Sequence, residues 1–279
     1  MTPGTPEQAA EAVAAQAARF GVTASVHPDD HLFKFVLRHP GFASHPEAIA
    51  YYFADGANSA RRFLELIGPP PVRPGGLRAV LEFAAGYGCV TRHLAHAPGL
   101  DLTACDIHAQ AVGFLRRQIG VRAIPSHACP ELFAPPGGYD AVLALSFLSH
   151  MPLTTWARWL VRLTLPLAVG GRLVFTTHGL HSRSHFGDPE LPASGFWFHP
   201  ASEQSDLPVS EYGQTITSPE FVRAVIATMP WVELLAWHEA DWWGHQDCWV
   251  LRKTWHTPVP ALPPRLAAPP PLRRPRRRL

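Results

Sequence analysis

Residues 79–95 read AVLEFAAGYGCVTRHLA, and their interpretation decides the rest of the chain. Ala79, Val80 and Leu81 form an apolar, strand-compatible run closed by Glu82; Gly86 and Gly88 interrupt it, and Val90 and Leu94 resume with helical spacing. The pattern predicts strand, tight glycine turn, helix. Glycines in such a turn accept positive φ and let a ligand approach the backbone, while the first helical turn offers unpaired N–H groups and partial positive charge. This is a cradle for a small molecule, of a kind that also serves dinucleotides or acts as a plain turn.

The next segment narrows the choice. Residues 100–105 (LDLTAC) form a second strand with Asp106 at its carboxyl end, 18 residues beyond Gly88. A carboxylate there can accept both hydroxyl hydrogen bonds of a ribose, and can also cap the helix expected over residues 109–118.

Glu82-x-Ala84-x-Gly86-x-Gly88, followed by Asp106, resembles the first motifs of the class I S-adenosylmethionine-dependent methyltransferases. In that family the position of Ala84 is often glycine, and a methyl group there is tolerable at negative φ. The resemblance spans residues 78–179 and implies that Glu82, Ala84, Gly86 and Gly88 border the amino-acid end of S-adenosylmethionine, with Asp106 and Ile107 at the ribose. An acidic residue after the third strand commonly meets the adenine in related enzymes; this chain offers Ser126 and His127. The blocks HPGF (39–42), ALSFLSHMP (144–152), FTTHG (175–179), TSPEF (217–221) and GHQD (244–247) are similar to a bacterial subgroup often associated with glycosyltransferases and with surface-polysaccharide or secondary-metabolite assembly.

Around this centre the sequence predicts a Rossmann-like α/β fold with seven strands. A short third strand covers 121–124, a continuous apolar fourth 139–146, as a buried parallel strand requires, and a fifth follows Gly170-Gly171 over 172–177. The sixth and seventh strands, 231–237 and 247–252, are joined closely enough to set the last one antiparallel. Trp156, Trp159, Leu160 and Leu163 share one side of an intervening helix and read as core. Residues 180–216, polar and rich in histidine, proline and aromatic residues, show no periodicity.

Before the first strand, helices are expected over 7–20, 32–37, 46–53 and 58–67, the last two parted by Asp55-Gly56. Residues 1–76 then form a helical cap with its link, 77–255 the methyltransferase-like domain, and 256–279 a proline- and arginine-rich tail that cannot bury enough apolar surface to fold. Aromatic residues Tyr51, Tyr52 and Phe53 are candidates for a lid over the cofactor.

Composition sets further bounds. With 47% hydrophobic residues the chain can build a sizeable core. The formal charge of +2 hides six arginines in 256–279; without them 18 basic residues face 22 acidic, so the body is not a nucleic-acid surface by charge. No apolar run is long enough to span a bilayer. Cysteines 89, 105, 129 and 248 lack metal-knuckle or dithiol spacing, which indicates a reducing, cytoplasmic setting.

Ligands of an open α/β sheet bind beyond the carboxyl ends of its strands. That edge should gather Ser146, His150, His178 and His245, with Asp247 placed to fix an imidazole tautomer. His178 is the first candidate for a base toward a hydroxyl of a small-molecule or carbohydrate acceptor, then His150 and His245. His178, His181 and His185 also spell H-x2-H-x3-H, but Gly179 opposes a single helical face and no metal site is assigned. Two other readings use the same cradle: a nicotinamide-dependent oxidoreductase, and a binding subunit without catalysis.

Overall fold

The computed structural model describes residues 5–69, 76–201, 204 and 207–255. Three helices come first: α1 (Pro6–Phe20), α2 (His31–Arg38) and α3 (His45–Ile67). Each starts at a side chain that accepts from the first turn, Thr5 for α1, Asp30 for α2 and Ser44 for α3, each contact contributing about 1 kcal/mol. The expected tail and most of the link before the first strand lie outside the described residues.

α3 is one helix where the sequence predicts two. Its Asp55-Gly56 pair does not break it, because Gly56 is a close-approach glycine: a Cβ there would stand 2.2 Å from the Cys89 carbonyl oxygen. The helix thus lies against the glycine turn, and its second half, with Ala60, Phe63 and Ile67, joins the sheet core at Val80, Val174 and Val250.

Among the described residues nine strands form one sheet: β1 (Arg78–Phe83), β2 (Leu100–Asp106), β3 (Arg122–Pro125), β4 (Tyr139–Ala144), β5 (Leu167–His178), β6 (Phe196–His199), β7 (Gln214–Thr217), β8 (Val232–Trp242) and β9 (Gln246–Lys253). The order β3-β2-β1-β4-β5 is parallel throughout, and β9 then lies antiparallel between β5 and β8. The seven expected strands are all present. The additional pair, β6 and β7, arises inside the stretch that lacks periodicity; β7 touches β5 through the single pairing of His178 with Ile216, beyond the point where β4 ends.

Helices α4 (Thr91–Leu94), α5 (Ala109–Phe114, continued by a wider turn to Ile119), α6 (Leu153–Thr164) and α7 (Pro219–Ala227) complete the fold. Trp156, Trp159, Leu160 and Leu163 of α6 are buried against Leu81, Phe83, Val142 and Phe175, as their spacing predicts. Among the described residues no helix is long and apolar enough to cross a membrane.

Candidate functional site

The carboxyl ends of β1, β2, β4 and β5 open into a cavity of about 1120 Å3, bounded on its other sides by α2, α3, the segment after β5 and the β8–β9 turn. Single-ligand pockets span roughly 300–1,000 Å3, so the space suits two ligands side by side.

On the β1–β2 side, Glu82, the last residue but one of β1, is 4% exposed and its Oε2 carries no hydrogen bond. Burial lifts its pKa to about 8, assisted by the charge of Asp106. Gly86, at φ 55°, donates its N–H to Asp106 Oδ2 at 2.8 Å, while Oδ1 takes the N–H of His108 at 2.9 Å. The carboxylate is therefore fixed by backbone before any ligand arrives, with acceptor capacity left on Oδ2. A Cβ on Gly86 would meet nothing within 4 Å, which marks free space above the turn.

Ala84 departs from expectation: its φ is 56°, in the left-handed region, so the residue at the family's glycine position is strained by about 1 kcal/mol. Ser146, at the end of β4, is also left-handed with φ 52°. Its N–H is held by Thr176 Oγ1 at 2.8 Å and its hydroxyl by Gln246 Nε2 at 2.9 Å. Ile107, Ser126 and His127 line the β2–β3 end of the cavity. His127 Nδ1 accepts from the Cys129 N–H at 2.9 Å, so its proton sits on Nε2.

Of the lid candidates, Tyr51 lines the cavity and Tyr52 does not. Tyr52 is a core residue at 1% exposure, donating to Asp30 Oδ2 at 2.7 Å. Phe53 is likewise fully buried. Neighbours on a helix point about 100° apart, and only one of these three faces the ligand space.

Across the cavity, three widely separated histidines meet. The ring of His178 lies 5.9 Å from that of His150 and 5.7 Å from that of His245, and His185, unforeseen in this role, stands 4.5 Å from His245. Their tautomers follow from their partners. His150 Nδ1 is 2.8 Å from the Gly213 carbonyl and His178 Nδ1 3.2 Å from that of Thr215; a carbonyl only accepts, so both rings carry the proton on Nδ1. Ser182 gives its one hydroxyl proton to the His245 carbonyl at 2.7 Å and so receives the Nδ1–H of that ring at 3.1 Å. All three present an Nε2 lone pair. Burial lowers the pKa of His150 to about 4 and, with help from the charge of His185, that of His245 to about 4. His178 is driven well below its ordinary value by burial, then by the charges of His150 and His245.

Asp247 is the correction here. It is buried on the other face of β9, where it accepts from Trp237 Nε1 at 3.2 Å and the Ala240 N–H at 3.0 Å, and packs against Gly179. Side chains alternate along a strand, so Gln246 takes the cavity side and Asp247 the other. Two backbone carbonyls and the Ser182 hydroxyl, not Asp247, set the imidazole tautomers. His181, exposed and near Glu239 at 3.5 Å, stands apart from His178 and His185. Among the described residues no group of three or more His, Cys, Asp or Glu side chains is arranged to hold a metal ion.

The strand order, the antiparallel β9 and the carboxylate-and-glycine edge define a Rossmann-like methyltransferase fold. Residues 81–173, a third of the chain, match the model of a family described as a methyltransferase domain. Two solved structures share the fold. The glycopeptide N-methyltransferase MtfA complexed with sinefungin matches at 16% identity and a TM-score of 0.52, over 72% of this chain and 87% of that one. The complex of DhpI with SAH matches at 16% identity and 0.50, over 90% and 99%. No curated protein matches the chain.

Proposed function

We propose that this protein binds S-adenosylmethionine across the β1–β2 edge and methylates an oxygen of a small-molecule or carbohydrate acceptor held against the histidines. The residues at that edge fit the cofactor. Glu82 Oε2, buried and unpartnered, suits its ammonium group; Asp106 Oδ2 retains capacity for a ribose hydroxyl; and the open space over Gly86 admits its chain. When bound, the cofactor supplies an electrophilic methyl on a sulfonium.

The observation that carries the oxygen reading is the tautomeric state of the three imidazoles. Nε2 of His178, His150 or His245 can accept the hydrogen bond of an acceptor hydroxyl, orient its oxygen toward the methyl, and take the proton as the new bond forms. Their lowered pKa values keep the rings unprotonated through the neutral range. The fixed acceptors at Nδ1 hold each ring in one orientation and one tautomer. Enclosure between α2, α3 and the segment after β5 limits water, which competes with the acceptor for the methyl.

Calorimetric titration of the purified chain with S-adenosylmethionine, S-adenosylhomocysteine and NADH tests the first half of this reading. Both adenosyl ligands should bind, NADH should not, and Asp106→Ala should weaken the adenosyl ligands by one to two orders of magnitude. A folded chain that ignores the adenosyl ligands refutes the proposal and leaves the binding-subunit reading in front.

A further inference from the structure

Asp55 and Tyr51 stand one turn apart on α3, and both reach the cavity wall. The β8–β9 turn brings Trp243 to the same place, with its indole N–H on Asp55 Oδ1 at 2.5 Å. The other carboxylate oxygen has no hydrogen bond, and Asp55 joins no ion pair, among the described residues. A partly buried carboxylate without a counter-ion is costly unless a ligand completes it. Burial accordingly lifts its pKa to about 6, with only the Trp243 contact opposing the rise.

We propose that Asp55, Tyr51 and Trp243 form a cation subsite that receives the protonated amine of the methyl acceptor, an inference that rests on the methyltransferase reading above. A carboxylate beside two aromatic side chains matches an ammonium in charge, hydrogen bonding and ring quadrupole. The surroundings agree. Asp106 and Glu211 also line the cavity, the His150, His178 and His245 rings are neutral, and the guanidinium of Arg158 is already bound to Glu131. Phosphorylated or carboxylated acceptors meet repulsion there; amine-bearing ones meet attraction.

Location assigns the subsite to the acceptor. Trp243 lies 6.3 Å from His245, which lies 5.7 Å from His178, so Asp55 continues the arc of imidazoles. The amino group of the cofactor has its own carboxylate in Glu82, on the β1 edge. Leu32, Phe35 and Phe42 add an apolar wall for the body of the acceptor. A small molecule with an amine at Asp55 and a hydroxyl at the histidines fits this half of the cavity.

The test uses the full chain saturated with S-adenosylhomocysteine, to which benzylamine or benzyl alcohol is titrated at pH 7.5 by ligand-observed NMR. The two probes share shape and differ in charge. Wild type should bind the amine at least tenfold more tightly than the alcohol. Asp55→Asn keeps an oxygen for Trp243, and there the preference should fall below twofold; Tyr51→Leu should lower it about threefold. S-adenosylhomocysteine affinity should be unchanged in both variants. The proposal is overturned by equal binding of the two probes to wild type, or by a preference that survives in Asp55→Asn. A tenfold loss of S-adenosylhomocysteine affinity in Asp55→Asn also overturns it, placing that carboxylate on the cofactor. Failure of wild type to bind S-adenosylhomocysteine removes the underlying reading as well, and the first titration alone reveals it.

Discussion

The two halves of the cavity are built differently. The β1–β2 half comes from one continuous stretch, Glu82 to His127, and its polar groups are held by near neighbours: Gly86 on Asp106, His108 on Asp106, Cys129 on His127. The histidine half is assembled from α3, the loop after β4, the end of β5, β7 and the β8–β9 turn, and its hydrogen bonds cross 37 to 63 residues of chain. The first half keeps a buried carboxylate oxygen unpartnered; in the second, backbone carbonyls and one serine fix the Nδ1 proton of three rings. A local motif supplies a binding edge whose design can recur in many chains. Tertiary assembly supplies the part that can differ from one acceptor to another.

If the halves have separate roles, variants should separate them. The largest effect is expected for His178→Gln, which removes the Nε2 base while retaining a polar side chain of similar reach. Turnover should fall 10²- to 10⁴-fold, with S-adenosylhomocysteine affinity within twofold of wild type. Unchanged turnover would take His178 out of the chemistry, and a parallel loss of cofactor affinity would erase the division between the halves.

Glu82→Gln should do the reverse on the other side. S-adenosylhomocysteine affinity should fall 10- to 100-fold as the carboxylate that meets the ammonium is neutralised. Stability of the free protein should move the opposite way. The folded pKa of about 8 lies above the ordinary carboxylate value, so the folded state holds the proton more tightly than the unfolded chain. The corresponding stability is complete below pH 4.5 and is lost as pH rises through 8. Denaturant unfolding of wild type and variant should therefore diverge by roughly 3 kcal/mol in favour of glutamine between pH 5 and 7.5. Parallel pH profiles would mean that Glu82 is not the strained carboxylate of the cradle.

Asp247 gives a smaller and purely structural contrast. Its carboxylate holds Trp237 and the Ala240 N–H, away from the cavity. Asp247→Asn keeps one good acceptor and should lose about 1–2 kcal/mol of stability, leaving the pH dependence of transfer unchanged. A shifted pH profile would reconnect Asp247 to the histidines and undo the assignment made from strand alternation.

How far each half is legible in the sequence follows from the same difference. Strand β1, its glycines and Asp106 declare themselves through local pattern, and the seven main strands through apolar runs and turn residues. Strands β6 and β7 escape because they are four residues each, sit among histidines and prolines, and gain their order from tertiary pairing. The continuity of α3 is hidden because glycine reads as a breaker until Cys89 is seen against Gly56. Convergence of His150, His178 and His245 is deducible from strand polarity alone. The places of His185, Gln246 and Asp55 are not, since each depends on which side of its element faces the cavity.

Ala84 supplies the finest comparison, within the cradle itself. Its φ of 56° makes it a non-glycine residue in a conformation natural to glycine. Ala84→Gly removes about 1 kcal/mol of backbone strain but gives the unfolded chain freedom worth roughly 0.4–1 kcal/mol, so the two effects nearly cancel. Denaturation should place the variant within about 0.5 kcal/mol of wild type. What remains is space: Ala84 lines the cavity beside Glu82, and loss of its methyl leaves more room at the amino-acid end of the cofactor. S-adenosylhomocysteine affinity should therefore hold or rise up to threefold. A fall of tenfold would show instead that the methyl packs against the ligand, and that the strain at Ala84 is retained because the contact requires it.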